Sequence, residues 1–122
     1  MEINEVEVNG VKYIRKDAVT PGLPQVTADM VIVRCKSAGV FFGKLKVSDL
    51  PNGIVRMENA RRLWFWSGAA SLSQLAVDGT SRPMKCKFPV PVTEITLTEC
   101  IEVIPTTEKA AKSINEVPVW KA

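Results

Sequence analysis

Apolar and polar positions alternate from the first residues. Val6 and Val8 precede Asn9-Gly10, and Val11, Tyr13 and Ile14 follow. Asn-Gly tolerates the positive φ values of a type I′ turn, so this pattern predicts a β-hairpin over residues 3–15. Thr20-Pro21-Gly22-Leu23-Pro24 is then a cluster of breakers. The expected organisation is a hairpin arm (residues 1–16), a connector (17–28) and a single domain (29–122). An isolated hairpin is marginal in water, so the arm needs something to pack on. A second copy of the chain fits, and a homo-oligomer is expected.

Within the domain, Val31, Val33 and Cys35 fall on one face of a strand over residues 30–36. Ser37-Ala38-Gly39 turns the chain, and residues 40–47 return with Phe41, Leu45 and Val47 on one face. Asp49-Leu50-Pro51-Asn52-Gly53 is a second turn, followed by a strand over residues 54–58. Arg61 to Trp66 reads as a fourth strand, or as a continuation across a bend at Asn59-Ala60.

The period then changes. Leu72, Leu75 and Ala76 suit one face of a short helix, with Ser71 and Gln74 as a capping box and Gly79 as its end. A basic loop with Arg82, Lys85 and Lys87 follows, then Pro89 and Pro91, which suit an edge or extended segment. Residues 94–104 read as strand with a break near Thr98-Glu99. Thr106 or Thr107 caps a last helix to about Ile114, with Ala110, Ala111 and Ile114 facing inward. Val117 to Trp120 reads as an apolar strap that docks on the domain. Strands and helices do not alternate as βαβ units. The expected fold is α+β: a small antiparallel sheet or curled barrel with two short helices and an N-terminal β-hairpin arm.

Composition narrows the chemistry. The chain has 122 residues, 46% hydrophobic and 24% charged, which suits one globular domain. It has no histidine, so Ser–His and Cys–His nucleophile pairs are excluded. It also lacks a phosphate-binding GxxxxGK[ST] loop, and its acids are scattered. No enzyme and no cofactor are expected. Cys35, Cys86 and Cys100 are odd in number and match no ligand spacing, so free buried thiols and no metal are expected. No apolar run is long enough to span a bilayer, and the acidic N-terminus lacks a signal-peptide pattern. A cytoplasmic protein with no membrane partner is expected.

Charge is uneven. Residues 27–92 hold ten basic against four acidic residues, a local charge of +6. Such a segment attracts anions. Within it lies the most unusual run, Arg61-Arg62-Leu63-Trp64-Phe65-Trp66-Ser67-Gly68-Ala69-Ala70. In a strand, Arg62, Trp64 and Trp66 share one face, a guanidinium beside two indoles. Arginine pairs with phosphate and indoles stack on bases. The small residues Ser67, Gly68, Ala69 and Ala70 then open a helix, whose free amides could cradle a phosphate. The expected ligand-binding set is therefore Arg62, Trp64, Trp66, Ser67, Gly68, Ala69 and Ala70. The plainer reading is that both indoles are core and the small residues serve packing.

The chain also resembles a family of small uncharacterised proteins of tailed phages and prophages. The likeness runs over residues 30–121 and is most distinctive at the Arg-Arg-x-Trp-x-Trp-x-Gly-Ala segment, Arg61 to Ala69. Met30-Val-Ile-Val-Arg, Lys87-Phe-Pro-Val-Pro-Val and Val117-Pro-Val-Trp-Lys are similar too. The resemblance implies a phage gene acting in the cytoplasm of an infected bacterial host. It supplies no activity. The leading expectation is a non-catalytic phage accessory protein that acts by binding. In its most concrete form, it is a counter-defence protein that sequesters a nucleotide-derived host signal, a small phosphate-containing ligand. The alternatives are a phage protein that binds nucleic acid or inhibits a host protein, and a structural virion component.

Overall fold

The computed structural model describes residues 5–8, 11–14 and 26–122. Strands β1 (Glu5–Val8) and β2 (Val11–Ile14) pair antiparallel as a two-stranded sheet, with Val8 opposite Val11. The Asn9-Gly10 turn and the Thr20–Pro24 connector lie outside the described residues.

The main sheet has five antiparallel strands: β3 (Val26–Cys35), β4 (Gly39–Asp49), β5 (Ile54–Arg62), β6 (Val92–Leu97) and β7 (Cys100–Thr107). Their order is β6-β5-β4-β3-β7, an open sheet with β6 and β7 at opposite edges. These edge strands are nevertheless joined by Thr98 and Glu99 alone. Four strand gaps in a flat sheet span about 19 Å. Three Cα steps reach at most about 11 Å. The open sheet therefore cannot be flat between its two edges. Glu99 makes the turn with φ +57°, and its carbonyl accepts from the Lys36 amide at 2.9 Å. The Cys100 amide donates to Gly53 at 3.0 Å. The break expected near Thr98-Glu99 is thus a crossing between sheet edges.

Helix α1 (Leu72–Asp78) and helix α2 (Glu108–Glu116) cover one face. There Leu75, Ala76, Ala111 and Ile114 pack with Ile32, Phe42, Leu63 and Phe88. The other face buries Val31, Val33, Cys35, Phe41, Val55, Met57 and Leu97. Neighbours in sequence, such as Phe41 and Phe42, therefore serve different cores, as strand alternation requires.

One irregularity sets up the candidate site. Asn59 has φ +49°, and the β4–β5 register shifts between Phe42 and Lys44. An added residue in a strand reverses which side chains face which way. Val55 and Met57 face the second core, but Leu63 faces the helix-covered one. Gly43 accommodates the bulge, because a Cβ there would stand 2.9 Å from both Ala60 Cα and the Glu58 carbonyl oxygen.

Candidate functional site: a stacked indole platform

Strand β5 ends at Arg62, earlier than the alternation predicts. The run that follows does not keep one face. Arg62 is exposed, lies over the Phe41 ring at 4.4 Å and donates to the Ala38 carbonyl at 2.6 Å. Trp66 packs on the helix-covered core, with Leu63 and Phe42. Trp64 projects outward and is 60% exposed. Arg62 and Trp66 therefore contact different cores, and Trp64 contacts the C-terminal tail.

Ser67 and Gly68 lie against the loop at residues 80–82, Ala69 packs on the helix-covered core and Ala70 is exposed. The Ser81 amide and hydroxyl both donate to the Gly68 carbonyl at 3.2 Å, and Thr80 Oγ1 donates to that of Ser67. Gly68 has φ +85°, and a Cβ there would stand 2.6 Å from the Arg82 nitrogen. Only glycine suits both conditions. The Gln74 amide donates to Ser71 Oγ at 3.1 Å, and the Ala70 amide to Gln74 Oε1 at 2.7 Å. The expected cap is present, and its own side chains occupy those two amides. A cavity of about 340 Å³ opens nearby, lined by Gly68, Gln74, Asp78, Gly79, Ser81 and Lys109 among others. Its opposite charges, Asp78 and Lys109, stand 3.8 Å apart.

The tail supplies what sequence spacing could not. The Phe65 amide donates to the Lys87 carbonyl at 3.3 Å, and the Lys87 amide to that of Phe65 at 2.8 Å. Phe88 pairs in parallel with Val119, and the Trp120 amide donates to the Phe88 carbonyl at 3.0 Å. Three remote segments so form a small ribbon. On it the indoles of Trp64 and Trp120 stack, with centroids 5.2 Å apart and planes inclined by 9°. Trp120 is 44% exposed.

Lys87 completes the platform. Its Nζ lies 5.5 Å from the Trp64 centroid, 5.6 Å from that of Trp120 and 5.8 Å from that of Phe65. A cation capping an outer face of the stack would stand about 9 Å or more from the farther ring. Near-equal distances place the ammonium beside the stack instead. Both stacked indoles remain exposed. Among the described residues, no carboxylate pairs with Lys87. Phe65, Val90 and Val119 are exposed in the same segments.

Beneath the ribbon is Arg61, only 2% exposed. Its guanidinium donates to four main-chain carbonyls: Phe88 at 3.0 Å, Pro89 at 3.2 Å, Ile114 at 3.0 Å and Val117 at 2.8 Å. Burial pulls its pKa down. The carbonyl dipoles at the C-terminal end of α2 offset part of the desolvation. Losing the guanidinium would take the donor from the Pro89 and Val117 carbonyls, at about 1–3 kcal/mol for each left unmet, while Phe88 and Ile114 would keep the Trp120 and Val117 amides. Sequence alternation puts Arg61 opposite Arg62, which is correct, but gives no sign of this burial.

All three cysteines are free and buried. Cys35 and Cys100 face each other across β3 and β7 with sulfurs 3.4 Å apart. Burial, then the hydrogen bond with Cys100, pushes the Cys35 thiol up to about 12. Among the described residues, no three His, Cys, Asp or Glu side chains gather where a metal could bind, and no helix is long and apolar enough to cross a membrane.

No curated protein and no solved structure shows a significant match to this chain. A family model matches residues 28–114, a span that includes Arg61, Trp64 and Lys87 and stops short of Trp120. The chain belongs to the DUF6948 family, a domain of unknown function.

Proposed function

We propose that this protein is a non-catalytic binding protein that engages single-stranded nucleic acid on the Trp64–Trp120 platform. The observation that carries this reading is the exposed indole stack with the Lys87 ammonium beside it, paired with no carboxylate among the described residues. Bases stack on aromatic faces whatever their identity, and a cation beside them meets the backbone phosphate. Lys85 and Lys121 stand close in sequence to Lys87 and Trp120 and add to the local positive charge.

The leading expectation from the sequence is instead sequestration of a small host nucleotide, with nucleic-acid binding as its alternative. Tight capture of a small molecule calls for a pocket that buries most of its surface. Trp64 at 60% exposure is part of an open surface, which suits a strand that passes across it. The likeness to tailed-phage proteins supports a site of action in the cytoplasm of an infected bacterium, where single strands of phage or host origin are available.

Binding of a labelled oligothymidylate and of thymidine monophosphate, each over a range of salt, tests the reading. The oligonucleotide is expected to bind far more tightly and to weaken steeply with salt. Equal affinity for the monophosphate, with little salt dependence, would return the small-nucleotide reading. No binding of either would leave the platform as a protein-docking surface.

A further inference from the structure

Trp64 belongs to the body of the domain, whereas Trp120 arrives on the tail. Their stack exists only while the tail is docked. Val117 packs in the helix-covered core, Val119 pairs with Phe88, and hydrogen bonds add to the hold. The Val117 amide donates to Ile114 at 3.3 Å, the Trp120 amide donates to Phe88 at 3.0 Å, and Arg61 donates to Val117 at 2.8 Å. Arg61 also donates to Phe88, the carbonyl that accepts from Trp120. One buried side chain therefore grips the tail and the segment it pairs with, from beneath.

We propose that Arg61 is the positioning residue of the platform, a latch that fixes the tail against the Lys87–Pro89 segment and so sets Trp120 on Trp64. The guanidinium is suited to this by its shape. It is a rigid plane with five donors, and four carbonyls from two segments converge on it. Lysine carries the same charge but only three donors on a flexible stem. It cannot span both carbonyl pairs at once. Arg62, its neighbour, makes one carbonyl contact, to Ala38, and holds nothing of the tail. The latch assembles the surface whatever ligand that surface takes.

The test uses the full chain with Trp66→Phe, which leaves Trp64 and Trp120 as its two tryptophans. Stacked indoles couple their transitions and give a paired-sign circular dichroism band. Adding Trp120→Ala defines the signal with the stack gone, and adding Arg62→Ala controls for loss of a nearby cation. Adding Arg61→Lys is expected to abolish the band as fully as Trp120→Ala does, with the sheet signal and a cooperative melt retained. Oligonucleotide affinity should then fall about fivefold or more, the loss of one stacking surface. A band unchanged by Arg61→Lys would overturn the proposal. So would an Arg61→Lys protein that fails to fold while Trp120→Ala folds, because Arg61 would then serve the core and not the platform. Hydrogen exchange on the unaltered protein gives an arm independent of substitution. The Trp120 amide is expected to exchange as slowly as that of Lys87, and exchange at the rate of a free chain end would contradict a latched tail.

Should oligonucleotide binding be absent altogether while the band behaves as expected, the nucleic-acid reading fails and the latch stands.

Discussion

The guanidinium of Arg61 and the backbone amide of Trp120 donate to one acceptor, the Phe88 carbonyl, each at 3.0 Å. A carbonyl has two lone pairs and can accept both. The shared oxygen ties a buried cation to an exposed aromatic. It explains why an almost fully buried residue bears on an exposed surface.

The outer stack member should matter for binding and little for folding. Trp64→Ala is expected to cost about 1–3 kcal/mol of single-strand affinity, the usual worth of one stacked base. Its stability cost should stay within about 1.5 kcal/mol, the range for an aromatic pair. Paired titrations and chemical denaturation measure the two effects.

Lys87 should act through charge. Lys87→Gln is expected to lower affinity and to reduce by about one the slope of log affinity against log salt, as one phosphate contact is lost. A slope equal to the unaltered protein's would mean that Lys87 meets no phosphate.

Gly68→Ala should destabilise the domain. The new Cβ meets the Arg82 and Ser81 nitrogens at 2.6 and 2.7 Å, at a backbone φ of +85°. Both effects oppose folding, by more than about 1 kcal/mol together. Denaturation should show that loss even if single-strand affinity, extrapolated to folded protein, is unchanged. This outcome would separate packing from a phosphate-cradling role for residues 67–70.

Alkali should weaken the fold through Cys35. Its thiol is pushed from 9.0 to about 12, chiefly by burial, so the folded state holds this proton more tightly than the unfolded chain does. The associated stability is complete below pH 9 and is lost as pH rises from 9 towards 12. Cys35→Ala should flatten that part of the stability–pH curve, relative to the unaltered protein. The thiol should also resist alkylation in the folded state at neutral pH.

Much of the fold was legible. Val31, Val33 and Cys35 announce their strand face, Ser71 and Gln74 their cap, and Thr106 or Thr107 the start of α2, where it is the Thr107 hydroxyl that accepts from the Ala110 amide at 3.0 Å. These signals are local, so sequence carries them. The site was only partly legible. Alternation placed Arg62, Trp64 and Trp66 together, but it assumes a ladder that continues past Arg62, and the ladder stops there. Trp120 and Lys87 reach Trp64 through tertiary contacts that no spacing encodes. Arg61 misleads in the same way. Arginine is mostly exposed, and only the convergence of four carbonyls makes its burial tolerable. A tryptophan near the chain end, after a proline-spaced apolar run, was the one hint that the tail contributes.

Whether the indole stack receives bases can be read directly. Trp66→Phe protein, in which Trp64 and Trp120 are the remaining tryptophans, reports this by its own fluorescence. Titration with oligothymidylate at low salt should quench it saturably, and high salt should reverse the quenching. An emission unchanged through saturating oligonucleotide, or quenching that salt cannot reverse, would contradict the account.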